Sequence, residues 1–83
     1  MRSAQQDIPV SVIGRVSSVF DAFGAEDTEL RVGEIARRTG LARATASRLV
    51  AELVEHGFLE RSGQSMRAGL RFFELGERAA RPR

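Results

Sequence analysis

The chain has 83 residues, enough for one small domain, with no cysteine, 42% apolar and 29% charged residues and a formal net charge of +2. That composition is ordinary for a globular domain, and it excludes disulfides and thiolate metal sites. No apolar run approaches the ~18 residues of a membrane span, and the opening MRSAQQDIPV lacks a signal-peptide core, so a cytoplasmic location is expected.

Residues 1–8 read as a flexible arm. A helix is expected from a Ser11 cap through Phe23, because Val12, Ile13, Val16, Val19, Phe20 and Phe23 form one stripe at three-and-four spacing. Gly24 is the expected stop, and residues 25–29 (AEDTE) are a polar loop. Leu30-Arg31-Val32 reads as a short strand or extended segment. A short helix follows over Gly33 to Thr39, with Ile35 and Ala36 inward and Glu34 in the first turn, where the helix dipole favours an acid. Gly40 suits a left-handed helix end, and Leu41 is the apolar residue beyond it. A second helix is expected from Ala42 or Arg43 to His56, with an inner stripe of Ala46, Leu49, Val50, Leu53 and Val54, closed by Gly57. Two helices joined by a three-residue turn make a helix-turn-helix. Small residues at 36 and 46 let them cross closely.

After Gly57 the period changes. Residues 58–61 and 66–68 are strand candidates, separated by a turn at 62–65, which together make a hairpin. Leu70 to Ala80 reads as a last helix, stopped by Pro82. The fold class is mostly α with a small β-hairpin: a winged helix-turn-helix with a three-helix core, a two-stranded wing and a C-terminal linker helix. The expected division is the winged helix-turn-helix over 9–69 and a last helix and tail over 70–83.

Charge is distributed unevenly. Residues 1–30 set Arg2 and Arg15 against Asp7, Asp21, Glu26, Asp27 and Glu29, a net of −3. Residues 31–48 set Arg31, Arg37, Arg38, Arg43 and Arg48 against Glu34, a net of +4. A basic middle points to an anionic partner. All 13 basic residues are arginine, whose planar fork suits phosphates and guanine edges; codon bias is the alternative account of the missing lysines.

The stretches SVIGRVSSVFDAF (11–23), LRVGEIARRTGLARATASRLVAELVEHGFLER (30–61) and MRAGLRFFELGE (66–77) resemble the DNA-binding domain of the IclR-type transcriptional regulators. The last stretch is the most diagnostic, since it matches the segment where that family leaves the wing for its linker helix. The chain departs from the family pattern at Ala42, where proline is common, at Ala44, where serine is common, and at Ala68 and Leu70. The resemblance implies a homodimer on palindromic double-stranded DNA. It also implies an effector ligand bound only through a larger domain outside these residues, so the chain is expected to be either a stand-alone DNA-binding domain or a fragment ending at the linker.

With the aliphatic stripe of the second helix inward, its opposite face carries Arg43, Ala44, Ser47, Arg48 and Ala51, with Thr45 toward the flank. The first turns of such a helix meet base edges in the major groove, and Arg43 and Arg48 are the best candidates for reading them. Arg37 and Arg38 on the supporting helix are candidates for backbone phosphates. Arg61 and Arg67 flank the wing, whose tip includes Gly63 and Gln64. Arg15 is expected to pair with a carboxylate such as Asp21 or Glu77. His56 is expected to be structural, and Phe20, Phe23, Phe72 and Phe73 are candidates for core and dimer contacts. No catalytic motif occurs, and no metal or cofactor is expected. The rival reading keeps the fold as a protein-docking module, which calls for a flat apolar recognition face without a basic stripe.

Overall fold

A computed structural model of the chain describes residues 11–24 and 27–79. The elements are α1 (Val12–Ala22), α2 (Val32–Thr39), α3 (Arg43–Glu55), β1 (Leu59–Ser62), β2 (Ser65–Ala68) and α4 (Leu70–Arg78). This is the winged helix-turn-helix expected from the sequence. The expected arm over residues 1–8, part of the polar loop (25–26) and the tail from residue 80 lie outside the described residues.

The start of α1 follows from its cap: the Gly14 amide donates to Ser11 Oγ at 3.0 Å, supplying one of the acceptors a helix start lacks. Its end differs from expectation. Gly24 is not left-handed; the helix closes one residue earlier through Phe23 in extended conformation, whose amide donates to Phe20 O. The extended Leu30-Arg31-Val32 segment reduces to a single bridge. Leu30 exchanges two backbone hydrogen bonds with Met66 (3.0 and 2.7 Å), and Val32 already belongs to α2.

The helix-turn-helix is as read. Gly40 has φ 79°, and its amide donates to Ala36 O at 2.9 Å. Only glycine adopts that conformation without penalty from a side chain. Gly40, Leu41 and Ala42 make the turn, and Leu41 plugs into the core. The Thr39 hydroxyl donates to Ile35 O at 2.8 Å and accepts the Leu41 amide at 3.2 Å, so the turn carries no orphaned donor at that point.

The core draws on every element except α4. Its largest fully buried side chains are Val19 from α1, Ile35 from α2, Val50 from α3, Leu59 from β1 and Met66 from β2. Ala36 and Ala46 are buried where α2 and α3 cross. Strands β1 and β2 pair antiparallel in the register Leu59↔Ala68, Glu60↔Arg67, Arg61↔Met66 and Ser62↔Ser65. The turn is therefore two residues, Gly63-Gln64, rather than four, with Gly63 at φ 62° as the first central position of such hairpins favours.

Helix α4 ends at Arg78 and buries no side chain. Phe72 stacks on Phe20 at 4.6 Å between centroids, and the Arg71 guanidinium lies 5.4 Å over the Phe58 ring. Backbone does the rest: Gly69 N donates to Phe58 O at 2.9 Å and Arg71 N to Gly57 O at 3.1 Å. These bonds require chain against chain, since a Cβ on Gly69 would stand 2.3 Å from Gly57 O. Gly69→Ala should therefore cost roughly 2–3 kcal/mol, among the larger single-residue effects. Gly76→Ala, with open space around it, should be neutral or stabilising by up to ~1 kcal/mol. Thermal denaturation of both variants checks the contrast.

Candidate nucleic-acid interface

Helix α3 is split by its own packing. Ala46, Leu49, Val50 and Leu53 are buried, and Val54 is half-buried. Arg43, Ala44, Ser47, Arg48 and Ala51 are exposed on the other side, with Thr45 half-buried at the flank. The helix is also polarised along its length: its first turn holds no acid, whereas Glu52 and Glu55 are exposed near its end. A polyanion meeting this helix is attracted to its start and repelled at its finish. Ala42 contributes no side-chain cap to the first amides of α3, and the positive end of a helix dipole favours an anion. The flat apolar face expected of a docking module is not found on α3. Among the described residues the exposed large apolar side chains are instead Val12 and Ile13 on α1 and Leu70, Phe72, Phe73 and Leu75 on α4.

The arginines of the middle segment divide into two groups. Arg38 is engaged inside the domain. Its Nη1 donates to Ala22 O at 2.9 Å and to Asp27 Oδ2 at 2.8 Å, and its Nε to Glu34 Oε2 at 2.8 Å. One guanidinium thus joins the carbonyl end of α1, the following loop and the first turn of α2. A cation suits the partial negative charge at a helix end. The Arg67 Nε donates to Glu60 Oε2 at 2.6 Å across the hairpin, and Arg67 lies 3.9 Å from Glu29. Ser62 Oγ also donates to Glu29, at 2.9 Å, which ties the loop before α2 to the wing.

Arg37 also pairs with Glu34, but its side chain is 72% exposed against 31% for Arg38. It is held from one side only and faces solvent on the other. Arg43, Arg48 and Arg61 have no ion-pair partner among the described residues. The same holds for Arg31, the exposed residue preceding α2, which sequence reading passed over. Its signal was available: a basic residue just before the supporting helix, inside the basic stretch 31–48. Gly63 and Gln64 are exposed at the wing tip, and His56 is the exposed C-cap residue of α3. Among the described residues no three His, Asp or Glu side chains gather where they could hold a cation, and no helix is long and apolar enough to cross a membrane.

The Arg38 contacts have an electrostatic signature. The hydrogen bond from Arg38 holds the Asp27 carboxyl below the usual carboxylate range. Hydrogen bonds from Arg38 and then Arg37 do the same for Glu34. Asp27 and Glu34 in turn raise the Arg38 guanidinium above its ordinary value.

Comparison with known proteins agrees with this geometry. The IclR helix-turn-helix domain family matches over residues 12–63. Among solved structures, an IclR homologue from Microbacterium sp. strain HM58-2 is 37% identical with a TM-score of 0.79, over 83% of this chain and 29% of that protein. An IclR homologue from Microbacterium hydrocarbonoxydans, complexed with 4-hydroxybenzoate, is 38% identical with a TM-score of 0.76, over 78% and 28%. A transcriptional regulator from Rhodococcus sp. RHA1 is 32% identical with a TM-score of 0.72, over 82% and 27%. The chain thus spans under a third of the length of these relatives. No curated protein matches the sequence.

The depressed carboxyls fix the sign of an acid effect. Asp27 and Glu34 release their protons more readily folded than unfolded, so unfolding takes up protons as pH falls. Their stabilisation is fully present above the ordinary carboxylate range and fades as pH drops through that range toward their lower folded values. Denaturation followed from pH 7 to pH 3 should show this loss, and Asp27→Asn should flatten the acid limb.

Proposed function

Given that the chain belongs to the family of IclR helix-turn-helix domains, we propose that it reads a palindromic operator as a homodimer, placing α3 of each copy in the major groove. The domain is a DNA-binding transcription-regulator module and not an enzyme. The observation that carries the finer reading is the outer face of α3: its first two turns expose Arg43, Ala44, Ser47 and Arg48 with no acid among them.

In this reading Arg48 and Arg43 grip base edges, a guanine O6/N7 pair being the commonest arginine target. Ser47 and Ala44 lie between them against base edges and methyl groups, and Thr45 faces a flanking phosphate. Arg37 exchanges part of its contact with Glu34 for a backbone phosphate, which positions the domain without selecting sequence. Arg61 and the Gly63-Gln64 tip follow the neighbouring backbone. Arg38, a phosphate candidate by sequence, and Arg67, which flanks the wing, act instead as supports, since their guanidinia are already engaged by acceptors of the domain itself. Residues 9–69 are the DNA-reading unit and 70–83 the linker.

One recognition helix reads too few base pairs for genomic selectivity, and two helices on one face of the duplex, ~34 Å apart, double the contacts. Val12, Ile13, Leu70, Phe73 and Leu75 offer the apolar surface for that pairing. Phe20 and Phe23, candidates for both core and dimer contacts, pack against the core. In this reading any effector acts through a domain outside these residues; one homologue is known in complex with 4-hydroxybenzoate. A cytoplasmic setting is part of the same proposal.

Gel-shift titration on an operator selected from a random duplex pool tests the assignment. Arg48→Ala should lose ~1–3 kcal/mol of discrimination between operator and random duplex. Arg37→Ala should weaken all duplexes alike and lower the salt slope by about one. The reverse ranking would overturn the recognition face. Sedimentation of Phe73→Asp should show less dimer than wild type with an unchanged melting temperature, because the side chain is 64% exposed.

A further inference from the structure

Resting on that DNA-reading assignment and deepening it, we propose that Gly33 is a positioning residue for recognition: its missing side chain is the seat on which the Arg43 guanidinium lies. Arg43 opens α3 just after the turn, while Gly33 is in the first turn of α2, roughly 10 Å back along that helix at 1.5 Å per residue. The arginine side chain therefore runs back beside α2. A Cβ built on Gly33 would stand 3.7 Å from Arg43 Cζ, an ordinary contact, but 3.2 Å from Nη1, so the guanidinium would have to give by a few tenths of an ångström.

Nothing else in the domain calls for glycine at this position. The left-handed glycines are Gly40, Gly57 and Gly63, and Gly33 is not among them. Within a helix glycine is a poor choice compared with alanine. No acid holds Arg43 among the described residues, since its guanidinium enters no ion pair there. What its guanidinium lies beside is α2 at Gly33. Arg37 lies one turn beyond Gly33 on the same face, so this face of α2 carries both the arginine assigned to phosphate and the resting place of an arginine assigned to base edges. An arginine already confined near its working position loses less rotamer freedom when it binds. The position exchanges helix stability for a prepared contact.

The test is a pair of measurements on Gly33→Ala in wild-type and Arg43→Ala backgrounds. The melting temperature should rise by a few degrees, because alanine favours the helix, while affinity for the selected operator falls roughly three- to tenfold, the range for ordering one long side chain. In the Arg43→Ala background the same substitution should change affinity less than twofold. Unchanged affinity in the wild-type background, or an equal loss in both, would overturn the proposal. The second measurement needs no DNA: the Arg43 Nε–Hε NMR signal should move on Gly33→Ala while that of Arg48 stays. An indifferent Arg43 signal overturns the seat even where wild type binds duplex. A moved signal in a protein that binds no duplex supports the seat and overturns the DNA reading instead.

Discussion

The backbone reversal at Gly40 is the constraint on which the rest of the molecule depends. A left-handed residue with φ 79° ends α2, and two residues later α3 has begun. A turn this short leaves the two helices little choice of angle, and the buried methyl groups of Ala36 and Ala46 permit the close crossing it demands. Thr39 makes the turn tolerable by taking the Leu41 amide onto its hydroxyl, while Leu41 itself enters the core. Once that crossing is set, the aliphatic stripe of α3 has one place to go. Arg43, Ser47 and Arg48 then have no alternative to facing outward.

Electrostatics refines what packing sets up. Every basic side chain of the protein is an arginine, yet the arginines do different work because carboxylates have been placed beside some and not others. Asp27 and Glu34 hold Arg38 across the α1–α2 corner, and Glu60 and Glu29 hold Arg67 on the wing. Such exposed pairs contribute little energy individually. Their effect here is geometric: they brace the loop before α2 against both neighbours, while Arg31, Arg43, Arg48 and Arg61 enter no ion pair among the described residues. The acids late in α3 orient the same helix toward a polyanion by its start.

The periphery follows from size. A domain this small has one core, to which five elements each contribute one of the largest fully buried side chains, and α4 lies outside it. Backbone hydrogen bonds at Gly57 and Gly69 fasten its first turn, and the Phe72–Phe20 stack holds its side. Among the described residues, large apolar side chains are left exposed at the start of α1 and along α4.

Much of this was readable from residue order alone. Periodicity of 3.6, glycine at the two helix ends bounding α3 and a change of period after Gly57 determined the winged helix-turn-helix, the inner face of α3 and hence its outer arginines. Those are local signals, carried by residues within a few positions of one another. What the sequence could not determine was which arginines are occupied. Arg38 reaches Ala22 and Asp27 across 16 and 11 positions, and Ser62 reaches Glu29 across 33. The Arg43 guanidinium over Gly33, the single bridge at Leu30 and the contact forbidding a Cβ at Gly69 belong to the same class. Each depends on two segments meeting at ångström range, and only the packed chain decides that, because a composition or a period contains no distance between residues far apart in order.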